Sequence, residues 1–309
     1  MEYGFAFFPG QGAQAPGMGK DLYENSKAAR LVFEEASDGA GIDVAKLCFD
    51  SDKETLSRTE NSQIAIFTHS MAALAALREA GVTFKAAAGF SLGEYTSLAA
   101  AGVVTLADGV KIVSKRGKLM QHAADTIDGG MAAILGLEDA KIEEACAAVK
   151  NGIVRPVNYN CPGQIVISGL KEAVETAAVK LKEAGARRVI PLNVSGPFHS
   201  SLLEQAGEEL GKELEQVDFS DLQIPYVTNV TAEYVTDITK TKELLARQVA
   251  SSVRWQQSME LLIADGVDTF VEIGPGRTLA GFLRKINRGV KVYNVGTWED
   301  VDKVVNELC

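Results

Sequence analysis

The chain has 309 residues, of which 46% are hydrophobic and 23% charged, as in an ordinary folded globular protein. This length suggests one large domain or two modest ones, with a substantial buried core. The net charge of -10 argues against nucleic acid or an anionic membrane as a general partner, although a local basic patch can still bind an acidic one.

Three features predict a cytoplasmic protein. The cysteines at positions 48, 146, 161 and 309 form no C-x-x-C pair, so we expect free thiols in a reducing compartment. The apolar run near the start is too short for a signal peptide and has no basic flank. No apolar run reaches the ~18 residues that a membrane-spanning helix requires.

Residues 4–8 (GFAFF) predict a buried strand that leads into a glycine-rich loop over residues 9–19. The loop matches the dinucleotide fingerprint loosely, but Pro16 and Gly17 follow at once, so no helix can begin where a pyrophosphate would need one. It is not a Walker loop either, because Lys20 is followed by Asp21 rather than by Ser or Thr. We therefore predict a loop whose backbone N–H groups approach another group closely.

Residues 21–84 predict helices, of which the clearest spans residues 63–80 and is apolar nearly all round. A short apolar run then ends in Gly89-Phe90-Ser91-Leu92-Gly93, and a helical pattern follows. This is G-x-S-x-G between a strand and a helix, which predicts a nucleophile elbow. In such an elbow the serine hydroxyl points out of the fold, and the N-terminus of the helix favours developing negative charge.

A predicted helix at residues 106–124 is followed by a change of pattern at residue 129. Strands are predicted at 131–136, 154–159, 164–168 and 187–194, and helices at 138–150 and 171–184. The resulting order, βαββαβ, is that of a split βαβ or ferredoxin-like unit. We therefore predict an inserted subdomain over residues 128–195, and a discontinuous main domain over residues 1–127 and 196–309.

The remaining residues predict helices near 202–216, 242–250, 256–264 and 278–285, strands near 224–228, 268–273 and 290–295, and a terminal helix. Strands that alternate with helices indicate a mostly parallel sheet with helices on both faces. The predicted fold class is therefore α/β.

A serine nucleophile needs a base close by, and histidine is the usual one. The chain has three histidines. His69 falls in the apolar helix, where a packing role is expected, and His122 falls in a basic helical stretch at the surface. His199 follows Gly196-Pro197 at a loop-to-helix junction, downstream of Ser91 as in elbow-type hydrolases. By elimination, we predict that His199 is the base for Ser91.

Six motifs in this order resemble those of the malonyl-CoA:acyl carrier protein transacylases. They are FPGQGAQ at 8–14, GFSLGE at 89–94, RGKLMQ at 116–121, GPFH at 196–199, QVASSVRW at 248–255 and EIGPG at 272–276. The resemblance covers essentially the whole chain. It implies an α/β-hydrolase-like core with an inserted ferredoxin-like subdomain. It also implies malonyl transfer from malonyl-CoA to the phosphopantetheine thiol of acyl carrier protein for fatty acid synthesis.

The resemblance assigns the main steps to particular residues. Ser91 would attack the thioester, and His199 would take the serine proton and pass it to the departing thiolate. The backbone N–H groups of Gln11 and Leu92 would form the oxyanion hole, which gives the glycine-rich loop its purpose. Arg116 would bind the free carboxylate of the malonyl group through two parallel hydrogen bonds. An acetyl group has no such carboxylate.

Other roles are implied in the same way. Met120 and Phe198 would contact substrate, and the Phe198 ring would leave little room for a methyl-branched acyl group. The backbone carbonyl of Gln248 would orient His199, where hydrolases usually use an Asp or Glu. The family usually has histidine immediately before the nucleophile, and Phe90 here removes any polar contact of that histidine. We expect neither a metal site nor a bound cofactor, because malonyl-CoA and the carrier protein are both substrates.

Acyl carrier proteins are strongly acidic, so we expect transient docking of the carrier on a basic patch beside the cleft. The candidates are Lys182, Arg187 and Arg188 on the subdomain, and Arg284, Lys285 and Arg288 near the end of the chain. We expect the enzyme itself to be a monomer.

Three alternatives stay open: a serine esterase or thioesterase, a polyketide-pathway acyltransferase, and a non-catalytic carrier-binding module. A hydrolase would differ from a transferase in whether water reaches the acyl-enzyme. Arg116 and a carbonyl-supported His199 favour the transferase, and the presence of Ser91, His199 and Arg116 together argues against the binding module.

Overall fold

The computed structural model describes residues 2–194 and 196–308 as a mixed α/β fold with two separate sheets. The strands are β1 (Glu2–Phe8), β2 (Thr83–Gly89), β3 (Gly129–Leu135), β4 (Val154–Cys161), β5 (Gln164–Leu170), β6 (Arg188–Pro191), β7 (Tyr226–Val227), β8 (Thr269–Ile273) and β9 (Lys291–Val295). The helices are α1 (Lys20–Asn25), α2 (Lys27–Ala40), α3 (Val44–Asp50), α4 (Lys53–Ser57), α5 (Thr59–Glu79), α6 (Leu92–Ala100), α7 (Leu106–Thr126), α8 (Asp139–Ala147), α9 (Lys171–Glu183), α10 (Glu204–Leu214), α11 (Thr241–Gln248), α12 (Trp255–Ala264), α13 (Thr278–Ile286) and α14 (Trp298–Leu308). Residues 1, 195 and 309 lie outside the described part, and with them the predicted end of the subdomain and the fourth predicted thiol.

The larger sheet is parallel throughout, with strand order β7-β2-β1-β8-β9. Successive side chains of a strand point to opposite faces. On β1, Phe8 packs into a core shared with α2, α5 and α7, whereas Phe5 and Phe7 pack with Trp255 of α12 and Leu279 of α13. The prediction of a mostly parallel sheet with helices on both faces is therefore confirmed.

The smaller sheet is antiparallel, with strand order β4-β5-β3-β6. Helices α8 and α9 pack against it through a separate apolar cluster that includes Ile134, Ile142, Ile167 and Leu181. The chain order of these six elements is βαββαβ, as the sequence predicts.

Two predicted strands are clearly shorter in the structure: residues 187–194 contain only Arg188–Pro191, and of residues 224–228 only Tyr226–Val227 pair with β2. Pro225 precedes them, and it accepts a hydrogen bond from the N–H of Ala87 through its carbonyl. Proline has no N–H to give in return, so the ladder cannot extend through it. The strand is therefore a short edge at the end of the sheet.

The turn between β2 and α6 depends on two glycines. A Cβ atom at Gly89 would collide with the carbonyl of Gly93, and one at Gly93 would collide with the carbonyl of Phe8. Strand, turn and helix therefore pack backbone to backbone, which no larger residue allows. This contact fixes the position of Ser91 above the ends of β1 and β2.

Two further expectations concern thiols and membranes. Cys48, Cys146 and Cys161 are buried and carry free thiols. Of the helices in residues 2–194 and 196–308, none is both long and apolar enough to cross a membrane.

Candidate active site

Ser91 lies on the sharp turn between β2 and α6, with φ 54° and ψ −104°. His199 also has a positive φ, of 62°. Such conformations cost non-glycine residues about 1–3 kcal/mol each and persist only where the surrounding structure enforces them. Two of the three non-glycine residues with positive φ in the described chain are thus the predicted nucleophile and the predicted base.

The Oγ atom of Ser91 lies 2.7 Å from Nε2 of His199. The other ring nitrogen, Nδ1, lies 3.0 Å from each of the backbone carbonyl oxygens of Gln248 and Ser251. Carbonyl oxygens only accept hydrogen bonds, so Nδ1 carries the proton. Nε2 is then free of hydrogen and accepts the hydroxyl proton of Ser91, as a general base requires.

Burial and, to a smaller extent, the nearby positive charge of Arg116 lower the pKa of His199 to about 4, against the two carbonyls, which raise it. The ring is only 4% exposed, which is why burial is the largest cause. His199 is therefore neutral at pH 7 and can accept a proton at once.

Arg116, on α7, lies beneath the serine and is 1% exposed. Its Nη2 atom donates to Oγ of Ser91 at 3.1 Å and to Oε1 of Gln248 at 3.0 Å, and its Nη1 atom donates to Oε1 of Gln63 at 2.7 Å. The guanidinium carbon lies 5.0 Å from the centre of the Tyr95 ring, in cation–π geometry. These three acceptors are neutral, so the guanidinium is a buried cation without a direct ion pair among the described residues.

The side chain of Gln248 connects this cation to a buried acid. Its Nε2 atom donates to the backbone oxygen of Ser91 at 2.7 Å and to Oε2 of Glu94 at 2.9 Å, while its Oε1 atom accepts from Arg116. Burial raises the pKa of Glu94 to about 7, against the hydrogen bonds and the charge of Arg116 that lower it. Gln248 thus holds the serine, the histidine and the arginine together with one backbone oxygen and one amide group.

Two backbone N–H groups beside Ser91 have no acceptor within the described residues, namely those of Gln11 and Leu92. Leu92 is the first residue of α6, so its N–H lies at the positive end of that helix. Gln11 lies in the loop after β1. That loop can approach the elbow closely because Gly10 has no side chain, whereas a Cβ atom there would collide with the carbonyl oxygen of Phe90. Both N–H groups are therefore available to an oxyanion on a group bound at Ser91.

A cavity of about 170 Å³ opens beside Ser91 and His199. Gln11, Met120 and Phe198 line it, as does Phe90, whose ring lies edge-on to Trp255 at 5.8 Å between centroids. Phe90 thus packs between the cavity and the core, where a histidine in its place would bring a polar edge.

Two further cavities share lining residues with the first. One, of about 370 Å³, runs between the two sheets and is mostly apolar, with Val166, Leu279 and Phe282 in its wall. The other, of about 700 Å³, lies toward residues 53–59 and is more polar. All three share Gln11 and residues 192–194. The serine can therefore be reached by a long, narrow ligand.

The structure brings all the sequence-predicted site residues together. Ser91, His199, Gln11, Met120 and Phe198 line one cavity, Leu92 follows the serine, and Arg116 and Gln248 contact the serine from below. Within the described residues, no group of three or more His, Cys, Asp or Glu side chains is arranged to hold a metal ion.

Several residues of the site were not predicted. They are Asn229, which bonds the peptide groups on both sides of Phe90, together with Glu94, Gln63 and Ser251. Glu94 carries a local signal, because it is the only charged residue in the buried helix LGEYTSLAA. Ser251 falls within the quoted motif at 248–255 without a role of its own, and no pattern marks Asn229 or Gln63.

Comparisons with known proteins find similarity over nearly the whole chain. Residues 6–303 match the family described as acyl transferase domain. The chain is 44% identical over 303 residues to the malonyl CoA-acyl carrier protein transacylase of Bacillus subtilis (strain 168), covering 97% of this chain and 96% of that protein. It is 45% identical over 296 residues to the protein of the same name from Staphylococcus aureus (strain COL), covering 95% and 96%.

Solved structures are similar over the whole fold. An acyl carrier protein S-malonyltransferase from Vibrio cholerae superposes with a TM-score of 0.94 at 42% identity, covering 98% of this chain and all of that one (100%). A malonyl-transacylase solved in complex with its type II PKS acyl-carrier protein gives a TM-score of 0.95 at 38% identity, covering 99% and 100%.

The low pKa of His199 predicts an unusual pH profile for acylation of Ser91. Protonated His199 cannot accept the serine proton, so the rate should fall as pH drops through a pKa of about 4. We expect the rate to vary by no more than roughly twofold from pH 8 to pH 5.5, because His199 stays neutral over that range and Oε2 of Glu94, whose pKa is about 7, accepts its two hydrogen bonds in either protonation state. Quenched-flow mass spectrometry of the acyl-enzyme would measure it.

Circular dichroism at each pH is the control, because acid unfolding would also abolish acylation. A half-maximal rate near the ordinary histidine pKa of about 6.5, in folded protein, would contradict the prediction.

Proposed function

Since the chain belongs to the acyl transferase domain family, we propose that it transfers the malonyl group from malonyl-CoA to the phosphopantetheine thiol of acyl carrier protein. It is an acyltransferase of the kind that its relatives' names describe, and it supplies malonyl groups for fatty acid synthesis. The reaction is a ping-pong transfer through a malonyl ester of Ser91.

One observation carries the proposal. A buried guanidinium with no direct ion pair among the described residues lies 3.1 Å from the hydroxyl of a serine, and the Oγ atom of that serine is 2.7 Å from an unprotonated histidine nitrogen. An acyl group on this serine must lie beside that cation. A free carboxylate on the acyl group would neutralise it through charge-assisted hydrogen bonds, which a neutral acyl group cannot form.

In the first half-reaction, Oγ of Ser91 attacks the thioester carbonyl of malonyl-CoA as its proton passes to Nε2 of His199. The N–H groups of Gln11 and Leu92 stabilise the oxyanion, and each such donor lowers the barrier by roughly 3–4 kcal/mol. The intermediate then collapses, the carbon–sulfur bond breaks, and His199 returns the proton to the thiolate of CoA.

In the second half-reaction, the roles run in the reverse order. His199 takes the proton of the phosphopantetheine thiol, the sulfur attacks the malonyl ester, and the carbon–oxygen bond to Ser91 breaks. His199 gives the proton back to Oγ. The protein ends in its starting state, so no step calls for a bound cofactor.

A polyketide-pathway acyltransferase is the second candidate function. The observation in its favour is the similarity to the malonyl-transacylase that was solved with a type II PKS acyl-carrier protein. The chemistry at Ser91 is the same in both cases, so the two candidates differ only in the carrier protein.

The monomeric state and the cytoplasmic location of the protein stay predictions.

We also propose the finer description of the fold. Residues 1–127 and 196–309 would form an α/β-hydrolase-like catalytic domain, and residues 128–195 a ferredoxin-like subdomain. The antiparallel order β4-β5-β3-β6 and the separate apolar cluster under α8 and α9 support this division. Native-state hydrogen exchange would contradict it if the two parts always opened together.

The carrier protein would dock on exposed cations near the mouth of the apolar cavity. Arg284, Lys285 and Arg288 are exposed, and Lys285 donates to Oε1 of Gln164 at 3.1 Å. Gln164 lines the cavity that adjoins the serine pocket. An acidic carrier bound there could extend its arm along that cavity. The alternative patch, Lys182, Arg187 and Arg188, is equally exposed but has no such contact among the described residues.

The proposed reaction predicts a covalent intermediate. After incubation with malonyl-CoA, mass spectrometry should find one malonyl ester, on Ser91, and none in Ser91→Ala. The ester should persist in buffer and disappear within seconds when phosphopantetheinylated carrier protein is added. Rapid loss in buffer alone would favour the thioesterase, and absence of any ester would refute the proposal. A faster transfer to a polyketide carrier than to a fatty acid carrier would favour the second candidate.

Arg116→Ala should lose malonyl transfer far more than acetyl transfer, because only malonyl offers a carboxylate to the guanidinium. We expect the ratio of kcat/KM for malonyl-CoA over acetyl-CoA to fall by roughly 10²-fold, the scale of two charge-assisted hydrogen bonds. Arg78→Ala is the matched control, because this partly buried arginine donates to the carbonyl of Ala100 away from the site. Equal losses for both acyl groups in Arg116→Ala would count against the assignment.

Reversing the charges near the cavity mouth should weaken carrier binding. We expect Lys285→Glu/Arg288→Glu to raise the KM for carrier protein roughly tenfold and to remove its salt dependence, with acylation by malonyl-CoA little changed. Arg187→Glu/Arg188→Glu serves as the comparison. If the comparison variant alone raised the KM, the carrier would dock on the subdomain instead.

A further inference from the structure

We propose that Asn229 is a positioning residue that holds the nucleophile serine in its strained conformation. The side-chain amide of Asn229 bridges the two peptide groups on either side of Phe90, immediately before the serine. Its Oδ1 atom accepts from the N–H of Ser91 at 2.7 Å, and its Nδ2 atom donates to the carbonyl of Gly89 at 2.6 Å. This inference rests on the proposed role of Ser91 as nucleophile.

The bridge replaces hydrogen bonds that regular structure would supply. Gly89 is the last residue of β2, and Ser91 precedes the first residue of α6, so these groups belong neither to the ladder nor to the helix. A buried peptide group without a partner is unfavourable. The amide fixes the peptide plane that enters Ser91, and Nε2 of Gln248 holds the carbonyl on the other side of the serine at 2.7 Å. With both peptide planes held, Ser91 keeps its φ of 54°.

Asn229 is itself held from several sides. It is 1% exposed, its backbone N–H donates to Oε2 of Glu94 at 3.1 Å, and its backbone oxygen accepts from the N–H of Arg254 at 3.1 Å. Every polar atom of the residue is therefore used. The same Glu94 oxygen accepts from Gln248, so one buried carboxyl group aligns both the amide behind the serine and the residue behind the histidine.

The functional consequence concerns the direction in which Oγ of Ser91 points rather than the binding of substrate. Rotation of the Ser91 peptide would turn Oγ away from Nε2 of His199 and would also move the N–H of Leu92. Both the attack and the oxyanion contact depend on this one backbone conformation. Asn229 touches neither substrate nor the reacting atoms in this arrangement, and it acts only through Ser91.

Labelling of Ser91 by a fluorophosphonate tests the inference without malonyl-CoA. The serine oxygen bonds to phosphorus as fluoride leaves, with the proton taken by His199. Asn229→Ala should label roughly 10²-fold more slowly, which is the scale for a misplacement of about 1 Å. In a separate acylation assay, the half-saturating concentration of malonyl-CoA should be unchanged. Failure of the wild-type protein to take up malonyl while it still labels would instead refute the proposed function.

Asn229→Asp gives a second readout that a merely structural role would not produce. The aspartate keeps the acceptor for the Ser91 N–H but can donate to the Gly89 carbonyl only when protonated. Its labelling rate relative to the wild type should therefore rise as pH falls from 8 to 5, as the introduced carboxyl group takes up a proton. The added negative charge also raises the pKa of the neighbouring Glu94 and of His199, but protonation of His199 slows labelling and so cannot produce this rise. This variant decides the question if Asn229→Ala does not fold.

Asn294→Ala is the matched control, because Asn294 also donates to a buried carboxylate, Oε2 of Glu272 at 2.8 Å, but lies away from the elbow. It should label within twofold of the wild type even where its melting temperature falls. Labelling of folded Asn229→Ala at the wild-type rate, or a pH-independent ratio for Asn229→Asp, would overturn the inference.

Discussion

The backbone turn at Ser91 is the constraint on which the site depends. It exists because Gly89 and Gly93 allow a strand and a helix to meet without side chains between them. The strain of a non-glycine residue at φ 54° is offset by hydrogen bonds from side chains that arrive from elsewhere in the chain. Catalytic geometry here is thus a property of the packed core rather than of the motif alone.

Charge in the site is balanced through an amide rather than by direct contact. Gln248 accepts from the guanidinium of Arg116 and donates to the carboxyl group of Glu94, so the two ionisable groups interact across a neutral residue. A direct ion pair would occupy the guanidinium, whereas its present acceptors are a hydroxyl and two amides. Such neutral acceptors can be exchanged for a carboxylate at lower cost, because a charged acceptor forms the stronger hydrogen bond.

Much of the fold could be predicted from the sequence, because hydrophobic periodicity and glycine signals are local. The βαββαβ order and the elbow are of this kind, and the scarcity of histidines singled out His199. Strand order within the larger sheet could not be predicted, since β1 pairs with strands from both ends of the chain. Asn229 was missed for the same reason: it lies 138 residues from Ser91, and its role appears only once the two are in contact.

The support of His199 by two carbonyls has a consequence for the energetics of the whole cycle. A carboxylate partner would stabilise the imidazolium, whereas here the protonated ring is a high-energy species in both half-reactions. The proton therefore returns quickly to whichever sulfur or oxygen is leaving, and the base does not distinguish between the two thiols. Exchange between two thioesters is close to thermoneutral, so the direction of net flux is set by the supply of donor and the removal of product.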